Sequence, residues 1–532
     1  MMFEKRIWNI ATVISVLLIL VSARIVYWQL VRGLELQPVA LDPAEAAQDY
    51  ARLRDKSSPK QDDLLDLISD PDKLEGLPQP VIQRTTRLLA SITRGSIYDR
   101  HDQILASDAT NEVGNRSRVY SEPSLAHVLG YVSGIRTGVT GLERAYNDTL
   151  LGLDRPSTRF GQIVHQPITG SDLVLTIDSR IQRLADQELE NRSGAIVVLD
   201  AHSGAVLAMA SAPRYDPNRV LEPDYVTNLL ESCGDAPGCQ GVFLNRATQA
   251  RYIPGSTWKT VTLIAALDTG QVSRETVFDF GQPVSGPNGP YYVYRVDGGV
   301  IPDPNHRESR LSLELSYAKS ANAAFARMGD EMPPDTFISY ASRLGFSPPR
   351  PFPIEIEFSS SQLAQDVNDI RENNLLRAAT AIGQGELLVT PLNMGIVVLA
   401  VLNEGDIPVP FLVESVRDPS GRIVNTQPNR QVIRNIMRPN TAQTVREMMI
   451  TNIQQGSGGR ANVAGLTVGG KTGTAQVGGD LPPHAWFTGF AENDERGVVI
   501  VVLIENGGQG SQTAAPIFAR IADAALNQFG DG

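Results

Sequence analysis

The chain has 532 residues, 42% apolar and 20% charged, enough for two or three ordinary domains with real cores. Its net charge of −12 argues against nucleic acid as a partner. None of the histidines (His101, His127, His165, His202, His306, His484) is spaced as a metal pair. Of 47 basic residues only seven are lysines: Lys5, Lys56, Lys60, Lys73, Lys259, Lys319 and Lys471. Arginine keeps its proton in proteins, whereas a buried lysine can release it.

Lys5 and Arg6 precede Ile7–Val31, an apolar stretch long enough to span a bilayer, with Arg24, Tyr27 and Trp28 suited to its far boundary. The spacing predicts one N-terminal transmembrane helix, with everything beyond it outside the cytoplasm. A cleaved signal peptide ending near Val21-Ser22-Ala23 is the alternative, and it also exports the chain. Residues 1–32 are thus read as a short tail and anchor. Residues 33–170 read as a polar stalk, helical near Pro43–Leu53 and Asp62–Ile68, and then a small mixed pedestal. An exported Cys233 and Cys239, bracketing a turn-rich loop, are positioned to form a disulfide.

The main domain, 171–532, opens with a strand at SDLVLTID and a helix over Ser179–Asn191, with a serine expected at its N-cap. Gly194–Pro213 holds two apolar runs around Ala201-His202-Ser203-Gly204, a hairpin pattern. Gly497–Asn506 is a strongly apolar strand, and the chain closes on a helix from Thr513. Strands at both ends with helices between them predict an α+β fold, an antiparallel sheet flanked by helices.

Gly465–Gln476, GLTVGGKTGTAQ, contains G-x-x-x-x-G-K-T and so spells a phosphate loop. A phosphate loop needs a helix immediately after it, and the glycines and prolines that follow Thr472 cannot start one. The stretch reads instead as a strand ending in a glycine-rich turn, with K-T-G facing a cleft. S-x-x-K occurs three times. Ser57–Lys60 lies in the polar stalk, and Ser316–Lys319 lies in a helix leading into Ser320. Ser256–Lys259 follows the Pro254-Gly255 turn and opens a helix that runs toward Gly270. There Ser256 occupies the first turn, where the helix field favours developing negative charge, and Lys259 lies one turn on along the same face. Ser320-Ala321-Asn322 and Lys471-Thr472-Gly473 follow in order.

A serine hydroxyl needs a base, and no histidine is placed to serve. Lys259 is the candidate, provided its pKa falls by roughly three units, about 4 kcal/mol against the charged form. Burial supplies part of that, and a second cation, Lys471, could supply more. Asn322 suits a hold on Lys259 or on a substrate amide, and Lys471 with Thr472 suits a substrate carboxylate. Gly473 is expected to leave room for substrate backbone.

The three motifs together are the signature of serine β-lactamases and penicillin-binding proteins. With the anchor and pedestal, the chain resembles the class B penicillin-binding proteins, membrane-anchored peptidoglycan D,D-transpeptidases. Gly383–Gly395 (GQGELLVTPLNMG) carries the likeness in the catalytic part, and RGSIYDR and TGLERAYNDTLLG carry it in the pedestal. One departure is Asp99-Arg100-His101-Asp102, where the family usually continues D-R-N-G. The resemblance implies a Ser256 acyl-enzyme, proton transfer to the leaving amine through Ser320, substrate binding by Thr472 and Thr474, and an oxyanion hole from the Ser256 and Thr474 N–H groups. It further implies stem peptides and a lipid-linked precursor as substrates, β-lactams as inhibitors and a polytopic membrane glycosyltransferase as partner. No metal or organic cofactor is implied. A D,D-carboxypeptidase or β-lactamase using the same serine, or a pedestal that activates the glycosyltransferase, are the alternative readings.

Overall fold

The computed structural model describes residues 89 and 91–529, apart from 111–115, 134–136, 155–167, 234–240, 347–351 and 428–429. The expected anchor and stalk helices lie outside the described residues, as does Cys239. No helix among the described residues is long and apolar enough to cross a membrane.

A small mixed sheet comes first. β1 (Ile97–Tyr98), β2 (Ile104–Thr110) and β3 (Arg116–Tyr120) form its N-terminal half. β4 (Asp172–Leu175) pairs parallel with β1 and antiparallel with Val413–Arg417, which in turn pairs with Ile423–Thr426. The strand expected to open the main domain is thus shared with the pedestal sheet, which also recruits a hairpin from late in the chain. Both segments that resemble the family's pedestal meet in one buried ion cluster. Glu143 accepts from Arg94 Nε at 2.6 Å and from Arg118 Nε at 2.7 Å, and all three side chains are within 1% of fully buried. A lone buried carboxylate would be costly, and two guanidinium groups with fitting geometry offset that cost.

The Asp99-Arg100-His101-Asp102 departure is accommodated. Asp99 accepts from the His101 and Gln103 N–H groups at 2.8 and 2.9 Å, and Asp102 takes φ +60°, the left-handed conformation a glycine would adopt freely. Asp99 also accepts from Ser179 Oγ at 2.7 Å. Ser179 is therefore not the N-cap of α1 (Ser179–Glu188). That role falls to Asp178, whose carboxylate accepts from the Arg180 N–H at 2.9 Å.

The main sheet is antiparallel and five-stranded. β5 (Gly194–Asp200) and β6 (Val206–Ala212) form the expected hairpin. The nucleophile-bearing segment is a 3-10 turn, Gly255–Trp258, running into α2 (Lys259–Asp268). Next come α3 (Leu313–Ala318), α4 (Asn322–Glu331), α5 (Pro391–Leu402) and α6 (Pro439–Gln455). β7 (Thr467–Ala475), β8 (His484–Glu492) and β9 (Gly497–Ile504) complete the sheet in the order β7-β8-β9-β5-β6, and α7 (Ala514–Asp523) follows.

β9 is the central strand, and all eight of its residues are buried, which explains its unbroken apolar run. Val499, Val501 and Leu503 join the core beneath α2 and α5, while Val498, Ile500, Val502 and Ile504 join the core beneath α1 and α7. α5 is apolar on every side because it is buried between sheet and helices, and a Cβ on Gly395 would meet Leu199 and Val501 at 3.3 Å. β7, with K-T-G, is the edge strand.

Candidate active site

The nucleophile turn and the K-T-G strand fit together through glycines. Gly255 takes φ +55°, and a Cβ on it would sit 3.0 Å from Thr474 O. A Cβ on Gly473 would sit 2.8 Å from Pro254 O and 2.9 Å from Thr257 Cγ2. The Cβ side of Gly473 is therefore filled by the nucleophile turn. Gly383 clasps the turn from the other side. Its carbonyl accepts from the Gly255 N–H at 2.9 Å, and a Cβ there would overlap Gly255 O. This accounts for GQGELLVTPLNMG, in which Thr390 then caps α5 by accepting from the Asn393 N–H.

Ser256 is half-buried and Lys259 fully buried. The Lys259 amine lies 2.7 Å from Ser320 O, 3.1 Å from Ser320 Oγ and 2.7 Å from Asn322 Oδ1. Ser320 takes φ +60°, an uncommon conformation for a serine, which turns its carbonyl onto the amine. Burial lowers the Lys259 pKa to about 7, with the Asp303 carboxylate opposing it. A neutral amine can donate to the two carbonyl oxygens while its lone pair takes a proton from a hydroxyl. Lys471 is also fully buried, its amine 5.7 Å from the centre of the Tyr317 ring. Burial and the Lys259 charge together push its pKa well below the ordinary lysine range. Burial is the largest cause of the lowering at both lysines.

Strand alternation divides the K-T-G motif. Lys471 and Gly473 share the face toward the Gly255–Trp258 turn and Tyr317 of α3. Thr472 and Thr474 share the other, with Thr472 Oγ1 2.6 Å from Ser457 Oγ and Thr474 Oγ1 accepting from the Gly510 N–H at 3.3 Å. The Lys471 and Thr472 side chains thus lie on opposite faces of β7, and Thr472 shares its face with Thr474. The competing Ser316–Lys319 match is separated by its surroundings. Ser316 is fully buried with no partner for its hydroxyl, and Lys319 is paired with Glu308.

Asp303, Asn305, Asn452 and Ser457 were not legible as site residues. Asn452 donates to Gly470 O at 2.7 Å, and Asn305 donates to Ser320 O at 2.7 Å. None belongs to a motif, and each meets the site only through tertiary packing.

Residues 194–523 match the penicillin binding protein transpeptidase domain, and residues 94–173 match the penicillin binding protein A dimerisation domain. The chain belongs to the penicillin-binding protein transpeptidase family. It is 32% identical over 456 residues to peptidoglycan D,D-transpeptidase PbpA of Mycobacterium tuberculosis, covering 81% of this chain and 89% of that one. It is 27% identical over 474 residues to peptidoglycan D,D-transpeptidase MrdA of Haemophilus influenzae, covering 78% and 69%. Among solved structures, penicillin-binding protein A of M. tuberculosis as its penicillin G acyl-enzyme complex superposes with a TM-score of 0.69 at 29% identity, covering 82% of this chain and all of that one. The D,D-transpeptidase domain from Eggerthella lenta superposes with a TM-score of 0.70 at 29% identity over the same shares.

Proposed function

We propose that the protein is a peptidoglycan D,D-transpeptidase that works through an acyl-enzyme on Ser256 and is inhibited by β-lactams. The observation that carries this is the fully buried Lys259 one turn beyond Ser256, resting on Ser320 and Asn322. Lys259 takes the Ser256 hydroxyl proton as Oγ attacks the penultimate carbonyl of a stem peptide ending in D-Ala-D-Ala. The Ser256 and Thr474 N–H groups meet the developing oxyanion. The C–N bond breaks, and the proton passes through Ser320 to the departing D-alanine amine. A second stem's amine then attacks the ester and releases Ser256. Thr472 and Thr474 offer hydroxyls to the substrate carboxylate, and Lys471 adds positive charge from behind the strand. In a β-lactam the bond that breaks is the ring amide, so the leaving amine stays tethered.

In this reading residues 1–32 hold a tail and a single membrane anchor, 33–170 a stalk and pedestal, and 171–532 the transpeptidase domain, outside the cytoplasm. Cys233 and Cys239 form a disulfide, and the pedestal works beside a polytopic glycosyltransferase that polymerises the lipid-linked precursor. The test is a labelled penicillin with mass mapping of the adduct, alongside a crosslinking assay on nascent glycan strands. Ser256→Ala should abolish both adduct and crosslinks. Unchanged crosslinking in that variant overturns the proposal, and release of D-alanine without crosslinks assigns a carboxypeptidase instead.

A further inference from the structure

The segment Pro302–His306 lies outside every motif, yet it grips the Ser320–Ala323 turn at several points. Asn322 Nδ2 donates to Pro302 O at 3.0 Å, and the Ala323 N–H donates to Asp303 Oδ2 at 2.8 Å. Asn305 Nδ2 donates to Ser320 O at 2.7 Å and lies 3.5 Å from Asn322 Oδ1. Those last two oxygens also hold the Lys259 amine. Asn305 and Lys259 therefore share both acceptors.

Asp303 is fully buried. Its carboxylate accepts from the first turn of α4, a helix with no side-chain cap of its own, and from His306 Nε2 at 3.2 Å. The His306 ring is pinned in turn, stacked on Tyr292 with centroids 5.2 Å apart and against Phe280 at 4.5 Å. Burial works to raise the Asp303 carboxyl, but the His306 hydrogen bond, the Ala323 N–H and the Lys259 charge outweigh it and hold it below the usual carboxylate range. A buried, ionised carboxylate thus stands behind the turn that seats the amine.

We propose that Pro302–His306 is a positioning element for the general base. Asp303 supplies the negative charge that faces Lys259, and Asn305 holds the strained Ser320 carbonyl and the Asn322 amide on which the amine rests. This rests on the functional reading above. Among the described residues the charged groups coupled to the Lys259 amine are Asp303 and Lys471 on β7, and Tyr317 on α3 lies against Lys471. His306 lies behind Asp303, with Glu308 3.9 Å from its Nδ1 and paired to Lys319. Two carboxylates are thus near, but only Asp303 acts on the amine directly.

The test is the pH profile of Ser256 acylation by a labelled penicillin, run on the full chain. Asp303→Asn removes the anion, so the acid limb should move down by about one pH unit, the low end for a charge partner. Asn305→Asp removes the amide donor to the Ser320 and Asn322 oxygens and adds a carboxylate beside the turn that seats the amine, and the limb should move up. Asn305 is exposed, so this variant folds and decides the matter should Asp303→Asn fail to. Slower acylation with the acid limb at the original pH means a merely structural role and overturns the inference. An adduct away from Ser256 in the unsubstituted protein overturns the functional reading first; an adduct on Ser256 with an unmoved acid limb overturns this one alone.

Discussion

Lys259 should announce itself in the pH dependence of acylation. Burial brings its pKa from 10.5 to about 7, a disfavouring of the ammonium by about 5 kcal/mol. At pH 7 roughly half the amines are then neutral, against about one in 3,000 for an unperturbed lysine. The second-order rate constant for acylation should be half-maximal near pH 7, fall about tenfold per unit below it and level off above. The same shift sets a stability signature. The unfolded chain holds this proton up to about pH 10.4, the folded chain only up to about 7. Unfolding therefore takes up a proton between those values, and stability rises with pH across that window. Below pH 7 the folded protein bears the full cost of a buried ammonium, and above the upper value it bears none. Lys259→Met should abolish acylation and stabilise the fold most below pH 7, by up to about 5 kcal/mol, the gain vanishing at high pH. Stopped-flow acylation and chemical denaturation across pH measure the two. An acid limb near pH 10, or a Lys259→Met effect on stability independent of pH, refutes the reasoning.

Three further outcomes follow from the packing. Ser316→Ala and Lys319→Ala should each acylate at the unsubstituted rate, because that pair is split between core and surface. Gly473→Ala must push a methyl against Pro254 O and Trp486 Cβ at 2.8 and 2.9 Å. It should cost about 1–3 kcal/mol in a denaturant titration and slow acylation at least tenfold. Glu143→Gln leaves Arg94 and Arg118 buried without their shared anion, so unfolding free energy should fall by about 3–5 kcal/mol, with acylation per folded molecule unchanged.

The legible parts of the site were those in which short-range mechanics constrain the chain. A serine and a lysine three apart at a helix start lie on one face whatever surrounds them, and the turns before and after bound that helix. The run Gly497–Ile504 read as a strand because a central strand is apolar on both faces. The ambiguous phosphate-loop spelling resolved because no helix could follow it. What stayed hidden depends on partners far along the chain. Nothing in PDPNH marks it as the support of a turn fifteen residues later. Ser179 looked like a cap until Asp99, eighty residues earlier, took its hydroxyl. The missing side chain at Gly473 says that something comes close, but not that it is the nucleophile turn. Alternation along β7 was available in the letters and would have set Lys471 apart from Thr472, but the motif was read as a unit.

The two buried amines leave the site short of negative charge until a ligand arrives. Asp303 faces Lys259, whereas Lys471 has the Tyr317 ring and Thr472 O at 3.4 Å and is depressed by burial and by the Lys259 charge. A substrate carboxylate reaching Thr472 and Thr474 would restore the favourable state of a charged Lys471, raising its pKa toward the ordinary range. Carboxylate binding should then take up protons at any pH between the lowered value and the usual one. A newly charged Lys471 also repels a proton on Lys259, so a substrate with its terminal carboxylate would make the base more available than a substrate lacking it. Calorimetric titration of Ser256→Ala with an acetylated D-Ala-D-Ala peptide, in buffers of different ionisation enthalpy, counts the protons. Binding without uptake, or equal uptake with the C-terminal amide, would show that Lys471 stays charged in the free protein and that the two amines do not communicate through the ligand.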